Sequence, residues 1–277
     1  MLEQKDYKDL LFTDDFMFCK ILMNNKDICK EIIELILDCK VRDITFPEAQ
    51  KTIELTSDGK GIRLDVYLED GQTVYDIEMQ TTINKDIPKR TRYYQGMIDL
   101  NLINRGAAYS ELKESYVVFI CLEDLFKKNR SIYTFKNICV EDKAILLNDF
   151  STKVIVNAKG TRDGLTEAQI AFLDYVAGKE PSDDFTKRLN QEVYRARDKE
   201  EWRLEYMTLL QRDREKFEEG KIEGKIEGKI EGKIEGKLEE LFSLVDDGLL
   251  TIDVAATRAN LSIEKFSDLH DKYHANK

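Results

Sequence analysis

The sequence predicts an α/β fold: a mixed sheet, entered in the order α-β-β-β-α-β, occupies residues 1–160 and is followed by a helical C-terminal extension. Three observations carry this. The apolar period changes from 3.6 to 2 near Ile53, an Asp70-Gly71 pair separates two alternating segments, and a short β-branched and aromatic run, Tyr116–Glu123, follows a helical stretch.

Taken in order, Phe16, Ile21, Ile28, Ile32, Leu35 and Ile36 recur at three- and four-residue steps, which predicts helix, with Thr13 or Asp14 placed to cap it. Asn24 and Asn25 are expected to split it in two. Gln50–Thr56 reads as a strand, Ser57–Gly61 as a turn, and residues 63–80 as a β-hairpin with Asp70-Gly71 as its two-residue turn. Pro88 suits a first helical turn, and Gly106 suits the end of the same helix. Tyr116–Glu123 reads as a buried strand, with weaker strands at Ile132–Val140 and Lys153–Asn157. From Gly164 to Phe217 the pattern is helical, with a break near Pro181.

The expected organisation is a core over 1–160, a helical extension over 161–219, a Gly-Lys-Ile-Glu repeat over 220–238 and a small helical appendage over 239–277. As a helix the repeat places Ile222, Ile226, Ile230, Ile234 and Leu238 on one drifting ridge. Its glycines each cost about 1 kcal/mol relative to Ala. At period 2 the same residues would alternate as an extended form, so both readings stand, the helical spacer that self-associates being favoured. In the appendage, Thr251 and Ser262 are candidate N-caps, and a packing or oligomerisation role is favoured over a helix-turn-helix because few basic residues are present.

Composition narrows the function. With 43 Lys+Arg against 54 Asp+Glu the net charge is -11, so any polyanion site must be local. No apolar run approaches the ~20 residues of a membrane span, and the charged start lacks a signal-peptide core; a cytoplasmic protein with no membrane partner is expected. Cys19, Cys29, Cys39, Cys121 and Cys139 are too far apart for a C-x-x-C knuckle. The only histidines, His270 and His274, have ligand spacing but no evident partner, and read as a solvated tail. With no histidine elsewhere and no phosphate-binding glycine loop, carboxylates must carry any chemistry.

Alternation puts Asp65, Tyr67 and Glu69 on one hairpin face. With an Asp70-Gly71 turn, Asp65 would stand opposite Asp76 and diagonal to Glu78. Three carboxylates so close need a cation or a raised pKa, and a hard ion, Mg²⁺ or Mn²⁺, is suited to them. The plain alternative is a solvated face paired with Arg63, Lys89 or Arg90. Against it, Lys85, Lys89, Arg90, Arg92, Tyr93 and Tyr94 follow at once, cations with stacking surfaces in an acidic chain.

In this context DDFMFCKIL, RLDVYLEDGQTVYDIEMQ, RTRYYQGMIDLNLINRGAAYSELKESYVVFI and the glycine-charged repeat resemble the recombination-promoting nuclease and transposase family of the PD-(D/E)XK superfamily, over roughly residues 12–215. The resemblance implies a restriction-endonuclease-like core. It implies Asp65 and Glu78 as metal-binding acids with the Met79 backbone carbonyl, Gln80 in place of the usual lysine, and Asp15 in the metal's outer shell. The function implied is a Mg²⁺- or Mn²⁺-dependent DNA endonuclease of low sequence specificity, acting in recombination, transposition, mobile-element maintenance or defence. Asp65, Glu78 and Gln80 would be catalytic, and Lys85, Lys89, Arg90, Arg92, Tyr93 and Tyr94 would contact DNA. The alternative is a catalytically inactive nuclease fold that binds DNA or protein and self-associates through the repeat.

Overall fold

A computed structural model of the protein describes residues 5–42, 44, 48–53 and 62–275, with 48–53 and 62–63 described by their backbone alone. The expected turn at Ser57–Gly61, the end of the strand expected over Gln50–Thr56 and the Arg63 side chain lie outside the described residues. The chain divides into two units, Met1–Tyr206 and Met207–Lys277.

In the first unit, α1 (Asp15–Asn24) and α2 (Lys26–Leu37) are separated at Asn25, whose side-chain amide donates back to Ile21 O (2.9 Å). A six-stranded sheet follows in the order β1-β2-β3-β4-β6-β5. It comprises β1 (Glu48–Ile53), β2 (Ile62–Glu69), β3 (Thr73–Gln80), β4 (Glu114–Cys121), β5 (Ile132–Phe135) and β6 (Ser151–Asn157). β1, β2 and β3 are antiparallel neighbours, β3 pairs parallel with β4 and β4 with β6, and β5 closes the edge antiparallel. The parallel β3–β4 step needs a crossover, which α3 (Ile87–Leu102) supplies with Pro88 in its first turn.

Tyr67, Val74, Val117, Phe119 and Ile155 form one buried cluster with Ile87, Tyr94, Met97 and Ile98 of α3. Val66, Leu68, Ile77, Val118, Ile120 and Val154 alternate with that set and are buried as well, so the central strands are covered on both faces. Helices α4 (Glu167–Val176) and α5 (Asp184–Arg197), with Pro181 between them, belong to the same body. The Gln169 amide donates to Leu35 O (2.8 Å), Tyr7 Oη to Ala196 O (2.6 Å) and Arg197 Nε to Leu10 O (2.9 Å), tying both helices to the N-terminal segment.

α3 stops at Leu102, with Ile103 extended as its cap, rather than at Gly106, and two further expectations need correction. The hairpin turn is Gly71-Gln72 rather than Asp70-Gly71. Asp70 N–H donates to Thr73 O (3.0 Å), the Asp70 carboxylate accepts from Thr73 N–H (2.9 Å), and Gly71 has φ +94°. Glycine with positive φ at the first central position is what a II′ turn needs, and the Asp70 side chain selects that frame by capping the turn itself. The register therefore slides by two: Tyr67 faces Asp76, Val66 faces Ile77, and the Asp65 N–H meets the Glu78 carboxylate. The face assignment survives because the slip is even. Second, the strand expected over Ile132–Val140 ends at Phe135. Its partner β6 begins at Ser151, and Phe135 already pairs with Lys153, so there is little strand left to pair with.

In the second unit the repeat is helical rather than extended, within α6 (Glu200–Asp246). The end of α6 packs with α7 (Ile252–Ala259) and α8 (Ile263–Ala275) around Leu241, Phe242, Ala255, Ala256 and Phe266. Asn260 turns the chain in the left-handed region (φ 63°), and Ser262 caps α8 by accepting from Lys265 N–H (3.2 Å).

Candidate active site

The even register slip brings the acids together in a tighter arrangement than the sequence suggests. Asp65 on β2 and Asp76 and Glu78 on β3 are 8%, 0% and 2% exposed. Asp65 N–H donates to Glu78 Oε1 (2.9 Å), and Met79 N–H donates to Asp65 Oδ2 (3.2 Å), so each carboxylate is held by backbone of the opposing strand. Asp15, at the start of α1, joins them through Cys19 one turn on. The Cys19 thiol donates to Asp65 O (3.5 Å) and reaches Asp15 Oδ1 (3.9 Å), and donor atoms of Asp15, Cys19 and Asp65 all lie within 4.8 Å of one another. Cys19 is buried, and the signal in the sequence for its place here is the i,i+4 step from Asp15.

One guanidinium faces this group. Arg90 on α3 donates to Glu78 Oε2 (3.2 Å), Gln80 Oε1 (2.8 Å) and Tyr94 Oη (3.0 Å), with its carbon 4.9 Å from the Phe119 ring centroid. Gln80 Nε2 donates to Thr82 O (3.0 Å) and Thr82 Oγ1 (3.1 Å). The amide of Gln80 is thus oriented from both ends. Burial pushes the Glu78 carboxyl up to about 7 against the pull of the Asp65 N–H and Arg90. Burial, then the neighbouring Glu78 and Asp65, push Asp76 well above the usual carboxylate range. Neither oxygen of Asp76 has a hydrogen-bond partner among the described residues.

The residues grouped in the sequence as DNA contacts separate in the structure. Lys85, Lys89, Arg92 and Tyr93 are exposed on or just before α3. Arg90 and Tyr94 turn inward: Arg90 is committed to Glu78 and Gln80, and Tyr94 packs against Phe119 with its ring buried. Their i,i+4 spacing on α3 puts both on the sheet-facing side, while Lys89, Arg92 and Tyr93 fall on the other.

These oxygens fit a hard divalent cation. Among the described residues Asp15, Asp65, Asp76 and Glu78 outnumber the guanidinium of Arg90 that faces them, and the orphaned oxygens of Asp76 lie in a site from which water is largely removed. A cation held by Asp65 and Glu78 would polarise a phosphoryl oxygen and make water a better nucleophile.

A family model described as PD-(D/E)XK nuclease family transposase matches residues 12–156, just over half of the chain. No curated protein and no solved structure matches the chain. The match spans every residue of the acidic site and every strand up to the last position of β6 but one. Nucleases of this kind generally use divalent metals, in keeping with the donor set. The chain belongs to the PD-(D/E)XK nuclease family transposases.

Proposed function

We propose that the protein is a Mg²⁺- or Mn²⁺-dependent DNA endonuclease of low sequence specificity, acting in recombination, transposition, mobile-element maintenance or defence. The observation that carries this reading is the juxtaposition of buried Asp65 and Glu78, each braced by the other's strand, beside a helix whose outer side is basic. Asp65 and Glu78, with the Met79 backbone carbonyl, would hold the ion, and Asp15 would meet its outer shell. Gln80 would orient the attacking water, since an amide can accept and donate a hydrogen bond yet adds no charge. Lys85, Lys89, Arg92 and Tyr93 would grip the DNA backbone and stack on bases. Arg90 holds Glu78 and Gln80 in place, and its charge stabilises a phosphate drawn into the site.

A second reading has its own observation. Arg90 already neutralises Glu78, and Gln80 replaces a lysine, the arrangement expected of a silent nuclease fold that binds DNA without cutting it. Incubation of the purified full chain with supercoiled plasmid and Mg²⁺ or Mn²⁺ separates the two. Nicking that EDTA abolishes and added metal restores supports the enzyme; retention of intact plasmid on the protein with no nicking selects the silent fold.

A further inference from the structure

In the second unit, His270 and His274, one turn apart on α8, both aim Nε2 at Asp246, the last residue of α6. His270 Nε2 lies 2.9 Å and His274 Nε2 3.0 Å from Asp246 Oδ1, and the two Nε2 atoms are 3.3 Å apart. The histidines are therefore not the solvated tail that the sequence suggests. Their partner lies 24 residues upstream of His270, on another helix, where no local motif could show it.

We propose that Asp246, His270 and His274 form a binding site for a divalent transition metal of the zinc class, separate from the acids of the sheet. Ligand atoms ~2.0–2.1 Å from one tetrahedral ion stand about 3.3 Å apart, and at right angles about 2.9 Å. The three edges of this triangle are 3.3, 2.9 and 3.0 Å. A plain ion pair accounts for them less well. His274 Nε2 spans both oxygens of Asp246, 3.0 Å from Oδ2 as well as from Oδ1, and two imidazolium groups only 3.3 Å apart at their Nε2 atoms would repel. In neutral rings, 3.3 Å is long for an N–H···N bond between them. Three ligand atoms this close together make an arrangement that a cation resolves.

The supporting shell is also present. The His270 ring lies 5.3 Å from Phe242 and stacks at 6.4 Å on Phe266, both in the core of the unit, which fixes its orientation. Two imidazoles and one carboxylate suit Zn²⁺, Co²⁺, Ni²⁺ or Cu²⁺ rather than Mg²⁺, and three protein ligands leave a position for water. The bound ion would join the end of α6 to α8 across a core of few side chains, the size of unit for which metal staples are common.

The test is titration of the untagged full chain with Co²⁺ and Zn²⁺. One equivalent of Co²⁺ giving visible d–d absorption, displaced by Zn²⁺, is expected. Asp246→Asn and His274→Gln, both at partly exposed side chains and so compatible with the fold, should abolish the absorption and weaken Zn²⁺ binding at least ~10-fold, with helical circular dichroism unchanged. Absence of stoichiometric Zn²⁺ binding by the wild type overturns the site. So does binding of equal strength in both variants, which would place the ion elsewhere.

Discussion

In the sheet, Asp65, Asp76 and Glu78 are almost wholly withdrawn from water beside the Arg90 guanidinium; in the repeat of α6, every Lys and Glu stands in solvent, and even Ile222, Ile226, Ile230 and Ile234 are 53–57% exposed. The two regions use the same residue types under opposite conditions. Burying an ion costs several kcal/mol, so a fold that keeps three acids in one buried patch holds a feature that stability alone would remove. Charges along α6 carry almost no such penalty, and their alternation specifies helix and solubility rather than a site. Charge is informative where it is buried.

The largest expected effect breaks the buried side of this contrast. Asp65→Ala and Glu78→Ala should each lower metal-dependent nicking about 1000-fold, the scale of the several kcal/mol that a metal site supplies. Circular dichroism should stay native, because each substitution thins a cluster that repels itself. Nicking at wild-type rate by either variant would remove the acids from the mechanism.

A smaller effect follows from the raised carboxyls. Their folded pKa values exceed the unfolded ones, so the folded state holds protons that the unfolded state releases. The stability they lend is present below about pH 4 and is lost as pH rises through about 7 for Glu78, and further for Asp76. Metal-free protein should therefore be less stable at pH 8 than at pH 5, as read by its denaturant midpoint. Asp76→Asn should flatten that slope and unfold at higher denaturant than wild type at pH 8. A steeper slope in the variant would mean that Asp76 is ionised and paired in the native state.

Gln80→Ala removes the acceptor of Arg90 Nη1, a hydrogen bond to a charged group worth about 1.5–3 kcal/mol, and should slow nicking by at least tenfold. Gln80→Lys would set a second cation against Arg90, so it should not exceed the wild-type rate. The smallest effect lies on the exposed side. A methyl group added at Gly228 meets nothing within 4 Å, and Gly228→Ala should stabilise α6 by about 1 kcal/mol with nicking unchanged, read as increased helicity on heating. A loss of stability there would show that the glycines sit against something.

Most of the sheet was legible because strands β2, β3 and β4 carry strong local signals: alternation, a glycine turn and a β-branched run. The faces of Asp65 and Glu78 followed from parity alone, which a register slip of two leaves intact. Their direct opposition did not, because the turn frame was decided by the Asp70 side chain capping Thr73, a choice that the Asp-Gly pair conceals. The roles of Arg90 and Tyr94 were hidden for another reason. Sequence proximity groups them with Lys89, Arg92 and Tyr93, and only the rotation of α3 about its axis sends two inward and three outward. Asp246 with His270 and His274 was beyond reach because the contact joins separate helices.

The most direct test of the central claim, that the buried acids hold a catalytic cation, is Mn²⁺ binding followed by electron paramagnetic resonance, wild type against Glu78→Gln. Wild-type protein should take up Mn²⁺ in a form that Mg²⁺ displaces, and Glu78→Gln, isosteric and uncharged, should leave that equivalent free in solution. Equal uptake by both proteins would contradict the claim.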